Sequence, residues 1–438
     1  MNYAESIEFL NSRIRFGIRP GTERVAALVE SMGHPERSYP VLHVSGTNGK
    51  FSVAAIATSI LSELGMTVGT YTSPDLGIVR ERIALAGEMI NEELFASVLS
   101  YLQPYIEIIE AEREDQLTYF ELLTVMAFEV FFDQAVHAAV IETGLGGEYD
   151  ATNVADARVA VITNVTLDHV RQFGGDLHKA AWEKAGIAKK GSVVVTGVEQ
   201  DDLYELIDER AREKGAAQVV RFGREFDVRD RQVAVGGQLL SLRGLHGEYD
   251  EIFLNLFGRQ QARNAGLAVA ACEALVSERL DPSVLAQGLG RVRAPGRVEV
   301  VGHKPLIVCD GGHNPAAAEV VKETVREAFA YEKLILVIGM LSEKLIDEVL
   351  EVWAPVVDSF VVTAPESSRA AEPDHLVRSL LDLGVPEERM ATVPQVGGAL
   401  EHAIQRASDE DLVLVFGSFY TVGEARAWLR SQGVLAQA

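Results

Sequence analysis

Cysteine is scarce: the 438-residue chain has two, Cys272 and Cys309. They lie far apart and match no metal-ligating or disulfide spacing, so both read as buried structural thiols and a stapled or zinc-held fold is excluded. Basic residues are also short, with 40 Lys and Arg against 64 Asp and Glu and a formal charge of −24. A surface of that sign repels phosphate backbones, so nucleic acid is not an expected partner; the excess of acids serves solubility. No stretch approaches the roughly 20 apolar residues that a membrane span needs. The first residues, MNYAESIEFL, carry acids and no basic segment ahead of an apolar run, so no secretory signal is expected either. A cytoplasmic protein without a membrane partner follows as the expectation. Internal repeats, low-complexity tracts and coiled-coil heptads are lacking as well.

What the chain does have is length and apolar content: 47% of its residues are hydrophobic, enough to fill two or three cores. Short apolar runs alternate with helix-like segments almost throughout. The runs are Val41 to Ser45, Ala138 to Glu142, Val159 to Val165 and Val193 to Thr196, then Leu306 to Cys309, Leu334 to Gly339, Phe360 to Thr363 and Leu412 to Phe416. Such runs between helices predict parallel sheets covered on both faces, so the fold class is α/β. Pro295 and Gly296 in RVRAPGRVEVV interrupt helix just before the second set of strands. The expected division is a larger parallel-sheet domain over residues 1–294 and a smaller Rossmann-like α/β domain over 295–438. Between Arg224 and Leu256 the alternation in RQVAVGG and QLLSLRG suggests a small inserted antiparallel hairpin.

One stretch carries recognisable chemistry. VLHVSGTNGKFSV, Val41 to Val53, joins a buried strand to an apolar helix, SVAAIATSILSEL, which Gly65 closes. A strand-to-helix turn collects unpaired backbone N–H groups at the positive end of a helix dipole, where phosphates are stabilised. Gly46, Thr47, Asn48 and Gly49 would form the cradle, Lys50 would add a cation, and the Ser52 hydroxyl one turn into the helix could hold Mg²⁺. The strict nucleotide-loop pattern nevertheless fails twice, because Val44 replaces its first glycine and Phe51 separates the lysine from the serine. An ordinary strand-to-helix turn is the competing reading. Glu142 ends the strand AAVIE ahead of the glycine-rich turn Gly144 to Gly147, which places a hard oxygen donor at a strand's C-terminal edge; a solvated acid is the plainer alternative. In DGGHNPAA, Asn314 followed by Pro315 has the signature of a helix start, so Asp310 and His313 fall between a strand and a helix.

The segments around the loop occur in a telling order: FGIRPGTERV, HVSGTNGKFSV, TSPDL, TYFELLTVMAF, IETGLGGEYDATNV, TNVTLDH, EKAGIAKKG, GRQQARNA, PGRVEV, DGGHNPAA and GSFYTVGEA. Over essentially the whole chain this series resembles the folylpolyglutamate synthase and dihydrofolate synthase family, a branch of the Mur-ligase superfamily. The resemblance implies an ATP-dependent ligase that phosphorylates a carboxylate, dihydropteroate or a folate, and lets the amine of L-glutamate displace phosphate from the acyl phosphate. It implies Mg²⁺ held by Ser52, Ser73 and Glu142, with a second ion at His169. It also implies a carbamylated Lys184, nucleotide contacts from Asn264 and Arg297, and Asp310 and His313 orienting nucleotide and incoming amino acid. Small-molecule substrates, a monomer and closure of the domains over the nucleotide complete the expectation.

Four positions depart from that family's pattern. Phe51 stands in place of a loop glycine, Asp75 in place of a histidine, Glu148 in place of an arginine, and SEKL, Ser342 to Leu345, in place of an acidic segment. The two acids add negative charge on the side expected to face the acid substrate, which raises the expectation of a different or less anionic acceptor. A paralogous ligase with other substrates, or a nucleotide-binding protein that has lost catalysis, are the alternatives.

Overall fold

The computed structural model describes residues 1–13, 21–113, 115–166 and 175–435. An eight-stranded sheet is built from β1 (Val41–Ser45), β2 (Val68–Tyr71), β3 (Ile83–Leu85), β4 (Glu88–Met89), β5 (Ala138–Glu142), β6 (Ala157–Ile162), β7 (Val193–Thr196) and β8 (Gln218–Arg221). Its spatial order is β4-β3-β2-β5-β1-β6-β7-β8. All pairings from β2 to β8 are parallel, and only the β2–β3 and β3–β4 edge is antiparallel. A six-stranded sheet follows from β12 (Glu299–His303), β13 (Leu306–Asp310), β14 (Leu334–Ile338), β15 (Ser359–Val362), β16 (Met390–Thr392) and β17 (Leu412–Phe416). Its order is β12-β13-β17-β14-β15-β16, parallel except for β12.

The apolar runs are continuous because both faces of each strand are covered. Leu42 and Val44 of β1 enter one core while Val41 enters the other, and in β5 Ala138 and Val140 oppose Ala139 and Ile141. The second sheet divides likewise, with Leu412 and Leu414 on one face and Val413 and Val415 on the other. This is the two-residue period of a strand filled with apolar side chains at every position. Cys272 and Cys309 are buried and free, as their spacing implies.

The inserted segment is larger than the expected hairpin. It is a three-stranded antiparallel sheet of β9 (Asp227–Ala234), β10 (Gly237–Arg243) and β11 (Glu248–Leu254). The third strand follows a short turn and buries Tyr249, Ile252 and Leu254 against the first core. The spacing of those residues is broken by a register shift against β10, which obscures the alternation. Strand β2 also escapes sequence reading, because its four residues include Gly69. A side chain at Gly69 would meet the Phe131 ring at 2.4 Å, so the glycine is there for helix Tyr119–Asp133 to lie close.

Helix Lys50–Glu63 is buried along most of its length under helices Arg259–Val276 and Pro282–Arg291. Alanines at 262, 265, 268 and 271 permit the first contact. Gly288 permits the second: a Cβ there would lie 2.9 Å from the Ile60 Cα, and Ser59 Oγ donates to the Gly288 carbonyl at 2.7 Å. Among the described residues no helix is long and apolar enough to cross a membrane. A Gly288→Leu substitution must separate the two helices, and overpacking of this kind costs about 1–3 kcal/mol. A lowered urea midpoint with an unchanged denaturant slope is the expected result.

Candidate active site

Strand β1 lies between β5 and β6, so the chain's path reverses sides there and three C-terminal strand edges meet, the position where open α/β sheets bind ligands. The turn leaving β1 occupies this point. Gly46 has φ 149° and Gly49 φ 84°. A Cβ on Gly46 would collide with Thr163 Oγ1, and one on Gly49 would lie 2.8 Å from Asn264 Oδ1. Both positions therefore need glycine for conformation and for space. Lys50 opens the helix and donates through Nζ to the carbonyls of Gly46 and Thr47 at 3.1 and 3.2 Å, folding its ammonium over the loop. Val44, at the place of the strict pattern's first glycine, is simply a core residue of β1.

Residues after β6 brace the loop from outside, and sequence reading did not single them out. Asn48 N donates to Asn164 Oδ1 at 2.9 Å and Thr47 N to the Asn164 carbonyl at 3.1 Å. Thr163 Oγ1 donates to the Asn48 carbonyl at 2.6 Å, and Thr47 Oγ1 exchanges hydrogen bonds with the backbone of Thr166. Gln261 is a further such residue. Its Nε2 donates to Ser52 Oγ at 3.0 Å while its Oε1 accepts from Asn264 Nδ2 at 3.1 Å. The signal was present in GRQQARNA: Gln261 sits three residues before Asn264, on the same helix face. Ser52, Gln261 and Asn264 are all buried.

Glu142 ends β5 beside this loop and is 2% exposed. Its Oε2 accepts from Ser73 N at 3.2 Å, and Lys50, Arg297 and Arg82 lie within electrostatic reach. Burial outweighs these cations and pushes its carboxyl up to about 7. Lys184 is buried in helix Leu177–Ala185, whose end lies on the glycine turn after Glu142; a Cβ on Gly147 would meet the Lys184 carbonyl oxygen at 2.9 Å. His169 lies outside the described residues, and among the described residues no cluster of three His, Cys, Asp or Glu side chains is poised for metal.

The second sheet completes the site across a seam. Asp310 ends β13, is buried, and accepts from Gly312 N at 2.7 Å and Val298 N at 2.9 Å. Burial raises its pKa while Arg297 opposes the rise. Asn314 caps helix Pro315–Ala328 as its sequence indicated, accepting from Ala317 N at 2.8 Å, and its Nδ2 reaches back to Asn48 Oδ1 at 3.2 Å. His313 Nδ1 lies 3.1 Å from the Gly311 carbonyl. Arg297 keeps some accessible surface, and its guanidinium lies over the Phe51 ring at 5.3 Å and over the Phe419 ring at 4.3 Å. Desolvation pulls its pKa down against the pull of Asp310 and Glu142. Lys50, Ser52, Glu142, Asn264, Arg297 and Asp310 are thus gathered around one seam.

Residues 44–272 match the Mur ligase middle domain and residues 296–419 the Mur ligase glutamate ligase domain. The dihydrofolate synthase/folylpolyglutamate synthase of Mycobacterium tuberculosis is 37% identical over 93% of this chain and 90% of its own length. The Bacillus subtilis enzyme of the same name is 30% identical over 98% and 99%. The chain belongs to the dihydrofolate synthase/folylpolyglutamate synthase family. Solved relatives superpose along its length. The M. tuberculosis folylpolyglutamate synthase complexed with ADP and AMPPCP has a TM-score of 0.92 at 35% identity, covering 97% of each chain. Escherichia coli FolC in complex with DHPP and ADP has a TM-score of 0.87 at 30% identity, covering 99% of each.

Within this family member the two unusual acids are neutralised. Asp75 Oδ2 accepts from Arg82 Nε at 2.7 Å; burial disfavours the charge, but the guanidinium outweighs it and holds the carboxyl below its ordinary value. Glu148 is paired with Lys214 at 2.6 Å and Arg210 at 3.1 Å. Neither adds an unpaired negative charge, so the expectation of a less anionic acceptor loses its physical basis. In SEKL, Glu343 is engaged by Arg369.

The Glu142 shift predicts a pH dependence. The folded chain holds this proton more tightly than the unfolded chain, so the contribution to stability is complete below the ordinary carboxylate range and is lost as pH climbs through 7. In chelator without nucleotide, Glu142→Gln should gain stability over wild type as pH rises from roughly 5 to 8; parallel melting curves for the two proteins would refute the assignment.

Proposed function

We propose that this family member is an ATP-dependent amide ligase that joins L-glutamate to dihydropteroate, to folates, or to both, through an acyl phosphate. The observation that carries the reading is the meeting of Lys50, Glu142 and Arg297 at a seam between two sheets, in a chain that matches its relatives end to end. Residues 1–294 would bind ATP and residues 295–438 would close over it and receive the amino acid, the molecule working as a monomer.

In the first step a carboxylate oxygen of the acid attacks the γ-phosphorus, the bond to the bridging oxygen breaks, and ADP leaves with its electron pair. Such a transfer needs positioning and charge neutralisation more than a covalent partner on the protein. The turn Gly46 to Gly49, held by Asn164, would cradle the phosphates at the helix N-terminus, Lys50 would exchange the loop carbonyls for phosphoryl oxygens, and Arg297 would approach from the other side of the seam. Asn264 would contact the nucleotide beside Gly49. The donors near Glu142 suit Mg²⁺: a buried carboxylate with hydroxyls at Ser52 and Ser73 is a hard oxygen set, and burial pushes that carboxyl up to about 7 despite the nearby Lys50, Arg297 and Arg82. Those residues would hold the ion, with His169 the family's ligand for a second; bound Mg²⁺ neutralises charge on the β- and γ-phosphates.

In the second step the amine attacks the acyl carbon, phosphate leaves, and the nitrogen gives up a proton. His313 would orient the incoming amino acid. Asp310 acts through its backbone hydrogen bonds, fixing Val298 beside Arg297 and Gly312 beside His313. Lys184, buried against the glycine turn, is the residue for a carbamate that would add negative charge next to the metal. Closure of the two domains would shield the acyl phosphate from water.

The test is ADP release with ATP, Mg²⁺ and L-glutamate, comparing dihydropteroate, tetrahydrofolate and no acid, with products identified by mass. An acid-dependent burst with a gain of one glutamyl unit is expected. Lys50→Ala should lower turnover by on the order of a hundredfold or more. Bound ADP with no turnover on either pterin acid would overturn the proposed activity.

A further inference from the structure

Phe51 is the residue that the family's loop pattern does not contain, and the structure gives it a partner. It occupies the second position of helix Lys50–Glu63, half-buried, with its ring packed against the first core. Arg297 comes from the chain that enters the second sheet, and its guanidinium lies over the Phe51 ring at 5.3 Å. Phe419, first residue of helix Phe419–Ser431, presents a second ring 4.3 Å from the same guanidinium. Phe419 is itself fixed: it packs against a core of the second sheet, a Cβ on Gly311 would touch its ring at 2.8 Å, and the His313 ring meets it edge-on at 6.1 Å. Arg297 therefore meets two aromatic rings, one anchored in each half of the molecule. Arg297 Nη1 donates to the Gly296 carbonyl at 3.0 Å, while Asp310 and Glu142 pull on its charge from either side of the seam.

We propose that Phe51 is a positioning residue, whose ring holds Arg297 at the phosphate loop and so joins the two halves before nucleotide arrives. The proposal rests on the reading of this site as an ATP site. A long arginine side chain gives up rotamer freedom when it is placed for a phosphate, and an aromatic face restrains a guanidinium without occupying its hydrogen-bond donors. The N–H groups of Arg297 that Gly296 does not engage thus stay available to phosphoryl oxygens while the rings restrain the side chain. A glycine at this position would leave one side of the guanidinium to solvent, and closure alone would have to order it. On this account the substitution at position 51 is a gain in preorganisation rather than a blocked pocket: the ring lies beside the loop, between core and arginine, and the cradle of Gly46 to Lys50 keeps its geometry.

The experiment is a double-mutant cycle read by calorimetry with Mg·ADP and no acid or amine, so that it is independent of ligase activity. Phe51→Leu keeps apolar bulk and removes the aromatic face; it should weaken ADP binding by about tenfold. Phe51→Tyr keeps the face and should stay within about twofold of wild type. In an Arg297→Ala background, Phe51→Leu should change the affinity little, because the group it positions is gone. An equal loss from Phe51→Leu with and without Arg297, or no loss in either, would overturn the proposal, as would a wild type that binds no ADP. If Mg·ADP binds with the expected coupling and no pterin acid is turned over, the ligase reading fails while the role of Phe51 stands.

Discussion

Charge withdrawn from water is the constraint around which this molecule is arranged. Glu142 and Asp310 are buried carboxylates at the ends of strands from different sheets, and the Arg297 guanidinium lies within electrostatic reach of both. Each alone would be costly in such a place. Together they are tolerable, provided the two sheets meet. Burial still dominates, which is why both carboxyls sit above their ordinary values and the arginine below its own. Such residual imbalance is typical of sites built to receive further charge, and a nucleotide with its metal is the kind of guest that removes it.

The sheets can present these groups because apolar strands do the structural work. Strands β1, β5, β13 and β17 are buried on both faces, leaving their last residues as the place where polar chemistry enters. The backbone then adds its own share. The turn Gly46 to Gly49 gives its Thr47 and Asn48 amides to Asn164, and Thr163 donates to the Asn48 carbonyl, so the neighbouring strand's exit fixes the shape of the loop.

Much of this was legible in the sequence, for identifiable reasons. Strands β1, β5 and β17 were read to the residue, since continuous apolar runs flanked by turn formers have few alternatives. The helix start at Asn314 and Pro315 was equally plain, because a cap signature is local. What escaped was relational. Gln261, Thr163 and Asn164 are polar residues whose importance comes from what they touch, and only the sheet order brings them to the loop. The charge argument over Asp75 and Glu148 failed for the same reason. Arg82 is seven residues from Asp75 in sequence, but Arg210 and Lys214 reach Glu148 from a helix more than sixty residues away. Phe51 was legible only as a departure from the loop pattern, because a sequence shows the residue without the arginine that lies over its ring.

The segment after β2 bears on how such proteins can be taken apart. Leu76 belongs by sequence to the first half, yet its side chain is part of a core on the second sheet, beside Val422 and Val415. Its carbonyl oxygen lies so near Gly423 that a Cβ there would sit 2.6 Å away. The second sheet therefore borrows a side chain it does not encode. The two halves are not interchangeable cassettes: a recombination event that swapped residues 295–438 between relatives would inherit a core fitted to another protein's leucine, and the TSPDL segment would have to travel with it.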